Sequence, residues 1–360
     1  MSDDPGDMDD GARVSASQLL ARAAAASGRA DRRLGQAIDD FFLPDDARLD
    51  DRTRATLAAT LAAVVAAAEN DLRRQTARGL FGSDATLAER VSDGAPVLDR
   101  LVGAGLLRDG DLMRDLIGRT RQDLLADLLP PTPAEEAGAS SLLARLSASA
   151  DNAVAKAALA LMTAESRRRG LADTSRLNQT ELPAELHHRL VWWVAAAIRE
   201  QLGTSAADRA LAEAALRALG NHDESDRVES AAMRLASAID AQPAELAALL
   251  THALGDRRVA LFVALLAHAL GFDFATMREI AVEGSDQLWL ALRAAGLDRA
   301  TVARVGLSLC EADPRRDVEA FADQLDGIVA VTPDRARAAL APLKLHPDFR
   351  AAMAQLEKNK

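Results

Sequence analysis

From Ser205 onward the chain is cut into short, helix-length apolar stretches by breaks reading GNHDESD, AQP, LGD, GFD, EGSD, GLD, ADP and TPD, and no stretch alternates as a strand would. Most of these breaks end in aspartate or carry proline. Both start helices: aspartate accepts a first-turn backbone N–H, and proline fits the first helical position because its missing N–H would be unpaired there anyway. Alanine, leucine and arginine dominate while aromatics make up only 3% and tyrosine is absent, so helix formers abound and strand formers are scarce. The fold class that follows is all-α. The cadence predicts stacked helical hairpins, as an α-solenoid or an irregular helical array.

The 360 residues exceed one average domain. In sequence they divide into an acidic tail at 1–12, expected to be disordered, and an N-terminal helical module at 13–129. A proline-rich hinge at 130–139 carries Pro130, Pro131 and Pro133; a middle module at 140–203 and a C-terminal module at 204–360 follow. Within the first module SQLLARAAAAS and DRRLGQAIDDFFL read as short helices before Pro44, and a long helix runs from about Asp51 to Leu80. The polar stretch GLADTSRLNQTE reads as a loop inside the middle module. Three segments, Glu69 to Leu72, Asp151 to Val154 and Asp256 to Val259, share an acidic residue followed three places later by an aliphatic one. Read as helix starts, they are similar to the second helix of HEAT-type repeats, where the acid caps and the aliphatic residue enters the core.

A formal net charge of −11 argues against a general polyanion binder, which must neutralise phosphates with clustered cations. The single cysteine, Cys310, excludes an intramolecular disulfide and any multi-cysteine metal site. The start MSDDPGDMDD is acidic where a secretory signal is basic and then apolar, and the run ATLAATLAAVVAAA at 55–68 is shorter than the ~20 residues a spanning helix needs. The expectation is a cytoplasmic protein without membrane insertion, and no cofactor is assigned.

The sharpest enzymatic constellation joins His187 or His188 to the pair His222-Asp223 and the distant Asp273. It resembles the outline of metal-dependent HD phosphohydrolases, whose ligands project from packed helices around a metal. Here, however, His222 and Asp223 stand in a polar break, and the competing reading is a loop whose acids cap the next helix. His252 and Asp256 are four apart with His268 beyond, but Gly255 ends their helix. A capping Asp256 and two packing histidines are expected there. Cys310 reads as core, Arg167 to Arg169 as a helix C-terminus, and Arg73, Arg74 and Arg78 as a solvated stripe. No catalytic residue and no metal ligand is assigned.

The stretch PAELHHRLVWWVAAAIREQLG at 183–203 holds two of the six histidines beside two of the three tryptophans. At roughly 100° per residue, Leu186, Leu190, Val194, Ala197 and Ile198 gather on one side, with Val191, Leu202 and Trp193 at its margins and His187 within the stripe. Trp192 points the other way, near Arg189 and Arg199. An indole there needs a second contact, either with another repeat or the neighbouring domain, or with a protein partner or a second copy of the chain; on the latter reading these three residues are the candidate partner-binding site.

The segments APVLDRLVGAGLLRDGDLMRDL at 95–116 and ELPAELHHRLVWWVAAAIREQL at 181–202 resemble the bacterial family called domain of unknown function 2336. The resemblance spans about 50–340, departing near 120–140, and implies a helical fold with HEAT-like segments and no catalytic residues to carry over. The expected function is a non-catalytic protein-interaction adaptor, scaffold or regulator; the alternatives are a divergent phosphohydrolase and a HEAT-like nucleic-acid binder.

Overall fold

The computed structural model describes residues 49–130, 140–170, 181–283 and 286–358, plus four isolated positions nearer the start. The acidic tail, both short helices before Pro44, the hinge beyond Pro130 and residues 171–180 of the expected loop lie outside the described residues. Among the described residues there are seventeen α-helices and no strand, and the protein is all-α.

The helices group into two compact units, and each unit draws on separated stretches of chain. One combines the described residues of Ala37–Thr120 with those of Thr163–Ala231 and is called the amino-proximal unit; the other takes those of Arg121–Met162 and Ala232–Lys360 and is called the carboxy-proximal unit. The consecutive modules read from sequence differ from this grouping, because linear reading pairs only neighbours. The unit boundaries fall inside helices α4 (Gly110–Leu128), α6 (Asn152–Gly170) and α9 (Val228–Ile239).

The amino-proximal unit is built on α1 (Asp51–Leu80), whose first turn is closed by the Asp50 side chain accepting from the Thr53 N–H at 2.9 Å. Its buried residues Leu57, Leu61, Val64, Ala68 and Leu72 recur every three or four positions, the mark of one apolar face, which Thr76 and Leu80 continue. Against that face pack α2 (Ala85–Ser92), α3 (Leu98–Gly103), α7 (Ala184–Leu202) and α8 (Asp208–Gly220). By length and composition α1 is the one described helix able to cross a membrane. Its apolar stripe is packed within this unit, and it also buries Glu69 and Arg73.

In the carboxy-proximal unit, α11 (Val259–Leu270) is buried on nearly every side, from Val259 through Ala267 without a break. A helix apolar all round belongs at the centre of a core. Around it lie α10 (Pro243–Gly255), α12 (Phe274–Val282) and α13 (Gln287–Ala294). Gly271, with φ of 68°, lets the chain turn through 118° between α11 and α12. Further pairs are α14 (Arg299–Ala312) on α15 (Val318–Ala330), and α13 on α16 (Pro333–Leu340). The remaining helices are α5 (Leu142–Ser147), which touches α10, and α17 (Pro347–Lys358).

Most of the punctuation works as its chemistry dictates. Asp273, Asp298, Asp317 and Thr332 each accept a first-turn N–H of the helix they precede. The three-fold acidic pattern does not survive. Asp151 caps α6, but Glu69 lies inside α1, and Asp256 accepts from the Leu142 N–H at the start of α5, a helix 114 residues away in sequence. An acidic residue near an aliphatic one takes whichever N–H folding brings to it.

Candidate functional site

Helix α7 forms as its sequence dictates. Pro183 precedes its first turn, Glu185 sits where the helix dipole favours an anion, and Gly203, with φ of 63°, closes the last turn with its N–H on the Arg199 and Glu200 carbonyls. Leu186, Leu190, Val194, Ala197 and Ile198 are buried against α1 and α8, joined by Val191, Ala195 and Leu202.

The outer strip carries the predicted partner-binding residues. Trp192 and Trp193 are both half-buried. The Trp192 indole N–H donates to Nε2 of the exposed His188, one turn earlier, at 3.2 Å, and the two rings meet edge-on with centroids 6.3 Å apart. The polar handle of Trp192 is therefore occupied, and its ring face is what it has to offer. Arg189 reaches Asp109 at 2.8 Å and Asp111 at 3.2 Å, and Arg199 reaches Asp208 at 3.1 Å. These side chains keep 41% and 47% of their surface exposed. Ion pairs so exposed add little stability, but they fix both guanidinium groups along the edge of the tryptophan strip.

On the inner side, His187 is core, as its place in the stripe predicts, but it is not alone. Its ring stacks on His222 with centroids 4.1 Å apart and an angle of 16° between planes. His187 Nε2 lies 3.5 Å from the Ala218 carbonyl and His222 Nε2 lies 2.9 Å from the Leu182 carbonyl. Each histidine thus clasps backbone beside the other and ties the start of α7 to the end of α8. Burial, reinforced by His222, pushes the His187 pKa down to about 4, so the ring is neutral near pH 7.

The structure brings together two members of the phosphohydrolase constellation without building a metal centre from them. Both Nε2 atoms face carbonyl oxygens and so act as N–H donors, which leaves the lone pair of each neutral ring on Nδ1. Asp223 closes a short 3₁₀ turn by accepting from the Ser225 N–H, and Asp273 caps α12. Among the described residues no group of three or more histidine, cysteine, aspartate or glutamate side chains converges.

Sequence reading missed the polar interior of this unit. Arg73, expected on a solvated stripe, is buried at 6% exposure. Its guanidinium donates to Glu69 (2.7 Å), the Val91 and Ala95 carbonyls (2.6 and 2.8 Å) and Gln201 (2.8 Å), and Glu69 also accepts from the Val97 N–H. Arg73 thereby pins the turn between α2 and α3 to α1 and α7. A Cβ at Gly94 would lie 2.1 Å from an Arg73 nitrogen, so a larger residue at that turn would displace the guanidinium from its carbonyl partners. Over this turn lies a shallow groove of about 570 Å³ lined by Thr86, Glu89, Arg90, Asp93 and Gln201, with Arg90 donating to the Leu202 carbonyl at its rim.

The arginine run closes α6 at Gly170 as expected, and Arg168 also enters a second buried network. Arg168 bridges Glu181 at 2.8 Å and Glu229 at 2.6 Å, Arg119 joins Glu181 at 3.2 Å, and Arg227 donates to the Glu181 carbonyl at 3.1 Å. Glu181 has φ of 49°, a conformation costing a non-glycine residue of order 1 kcal/mol. The charge-assisted bonds to Arg119 and Arg168 offset that strain. Arg167 stays on the surface with Asp226.

Other expectations resolve individually. Cys310 is buried, and burial raises its thiol pKa. His252, expected to pack, is exposed, and His268 is half-buried with Nε2 3.0 Å from Asp240. Arg74 lies at the surface beside Asp71.

No curated protein and no solved structure matches the chain. The model of the family described as an uncharacterised protein conserved in bacteria, domain of unknown function 2336, matches residues 135–341. The match begins later than the resemblance suggested: it contains 181–202 but leaves out 95–116. It spans more than half of the 360 residues, from within the middle of the chain through α16, and the chain belongs to the domain of unknown function 2336 family.

Proposed function

We propose that the chain is a non-catalytic protein-interaction module, an adaptor, scaffold or regulator on a HEAT-like helical array, and that α7 presents its contact surface. The observation that carries this reading is the Trp192 strip. A half-buried indole whose N–H is already held by His188 offers an apolar and π contact, flanked by two arginines fixed by Asp109, Asp111 and Asp208. Aromatic anchors within a polar, partly exposed rim supply most of the binding energy in protein interfaces.

The test is a pulldown of the full chain from its own cells, comparing wild type with Trp192→Ala. The expected result is loss of one specific partner, with thermal unfolding within a few degrees of wild type. An unchanged partner list from a folded variant removes Trp192 from the interface and with it this reading of α7.

A further inference from the structure

Helix α17 leaves its apolar edge uncovered. Phe349, Met353 and Leu356 are 55%, 41% and 70% exposed, and Leu345, just before the helix, is 42% exposed. The helix packs chiefly on the preceding 3₁₀ turn, Ala341–Lys344. Placed at 100° per residue, Phe349, Ala352, Met353 and Leu356 occupy one strip about 100° wide. Scattered exposed apolar residues need no explanation, but a continuous helical strip does.

The charges beside the strip indicate what covers it. Arg350 and Glu357 lie two turns apart on the same margin, and among the described residues neither forms an ion pair. When two such helices run antiparallel with Met353 at the centre, each Arg350 comes within one residue's rise of Glu357 of the other copy, twice over, and Phe349 comes within one residue's rise of the other copy's Leu356. The formal charges of α17, Asp348, Arg350, Glu357 and Lys358, sum to zero, so the helix has no attraction for anionic headgroups, on which interfacial helices depend.

We propose that α17 is a self-association element that pairs antiparallel with α17 of a second copy. It is a surface separate from the Trp192 strip, and either can fail without the other. One pair of 12-residue helices falls at the small end of specific interfaces, below about 1,200 Å² in total, so the dimer is weak and exchanging.

Analytical ultracentrifugation of the full chain from about 1 to 200 µM tests it, a range set to bracket weak association. The expected result is a concentration-dependent dimer weakened at least tenfold in F349D. R350E and E357R should each weaken it as well, and R350E/E357R should restore it. Phe349 and Glu357 are exposed and Arg350 is half-buried; circular dichroism of every variant should match wild type, so that a change in association is not a change in folding. A wild-type monomer throughout, a dimer indifferent to F349D, or a double variant no tighter than the singles overturns the proposal. So does cosedimentation of the wild type with phosphatidylglycerol vesicles that F349D abolishes, which would assign the strip to a lipid surface.

Discussion

His187 lies 7% exposed against a second histidine, and both rings are committed to backbone carbonyls. Its pKa of about 4 in the folded chain, against 6.5 when unfolded, makes the clasp a pH-dependent contribution to stability. The folded state resists the proton and the unfolded state takes it. The contribution is therefore whole above pH 6.5, falls as pH drops toward 4, and amounts to about 3 kcal/mol across that window. Thermal unfolding from pH 7 to 4 should show a steeper loss for wild type than for His187→Phe, which has no proton to gain. Parallel profiles would show that the clasp does not govern acid stability. At the same scale, His187 was legible as a core residue from its place in the α7 stripe. The stack was not, because His222 lies 35 positions away in a break whose local sequence reads as loop.

At the scale of elements, helix identity follows local sequence closely, and helix contacts do not. The long helix expected from about Asp51 to Leu80 is α1, and aspartates and Thr332 start α12, α14, α15 and α16 as such residues should. Nothing in GLSLCEAD announces that Gly306 is where α14 meets α15. A Cβ at Gly306 would stand 2.0 to 2.6 Å from three ring atoms of Phe321, and that ring is itself held 4.7 Å from Trp289, centroid to centroid. In an open helix Gly→Ala gains about 1 kcal/mol. Here overpacking costs about 1–3 kcal/mol and wins, because a buried ring wedged on Trp289 cannot yield by an ångström. Chemical denaturation of Gly306→Ala should show a net loss of up to about 2 kcal/mol; a more stable variant would mean that Phe321 swings aside.

For the whole molecule, the family match and the packing do not share a boundary. The match covers 135–341, yet α7 and α8, which lie within it, bury their apolar faces on α1 at 51–80. A fragment limited to 135–341 removes α1, against which α7 and α8 both pack, and so uncovers apolar side chains of these two helices. Each large side chain so exposed forfeits ~1.5–3 kcal/mol. Hydrogen exchange of that fragment should show α7 and α8 losing protection at least a hundredfold relative to the full chain. Equal protection would mean that the matched region folds without α1.

By itself the sequence determined that this chain is all-α, where the long helix α1 runs and where most helices after Ser205 are started, and which face of α7 is apolar. Those are consequences of backbone propensity, capping and a 3.6-residue period, all set within a few neighbours. Only the tertiary structure decided that Arg73 is buried rather than solvated, that Arg168 belongs to a buried network with Glu181 and Glu229, that Asp256 serves α5, and that His187 lies on His222. The physical reason is range. A charged side chain stays in water unless a partner compensates its desolvation, and for Arg73 that partner includes Gln201, 128 residues away.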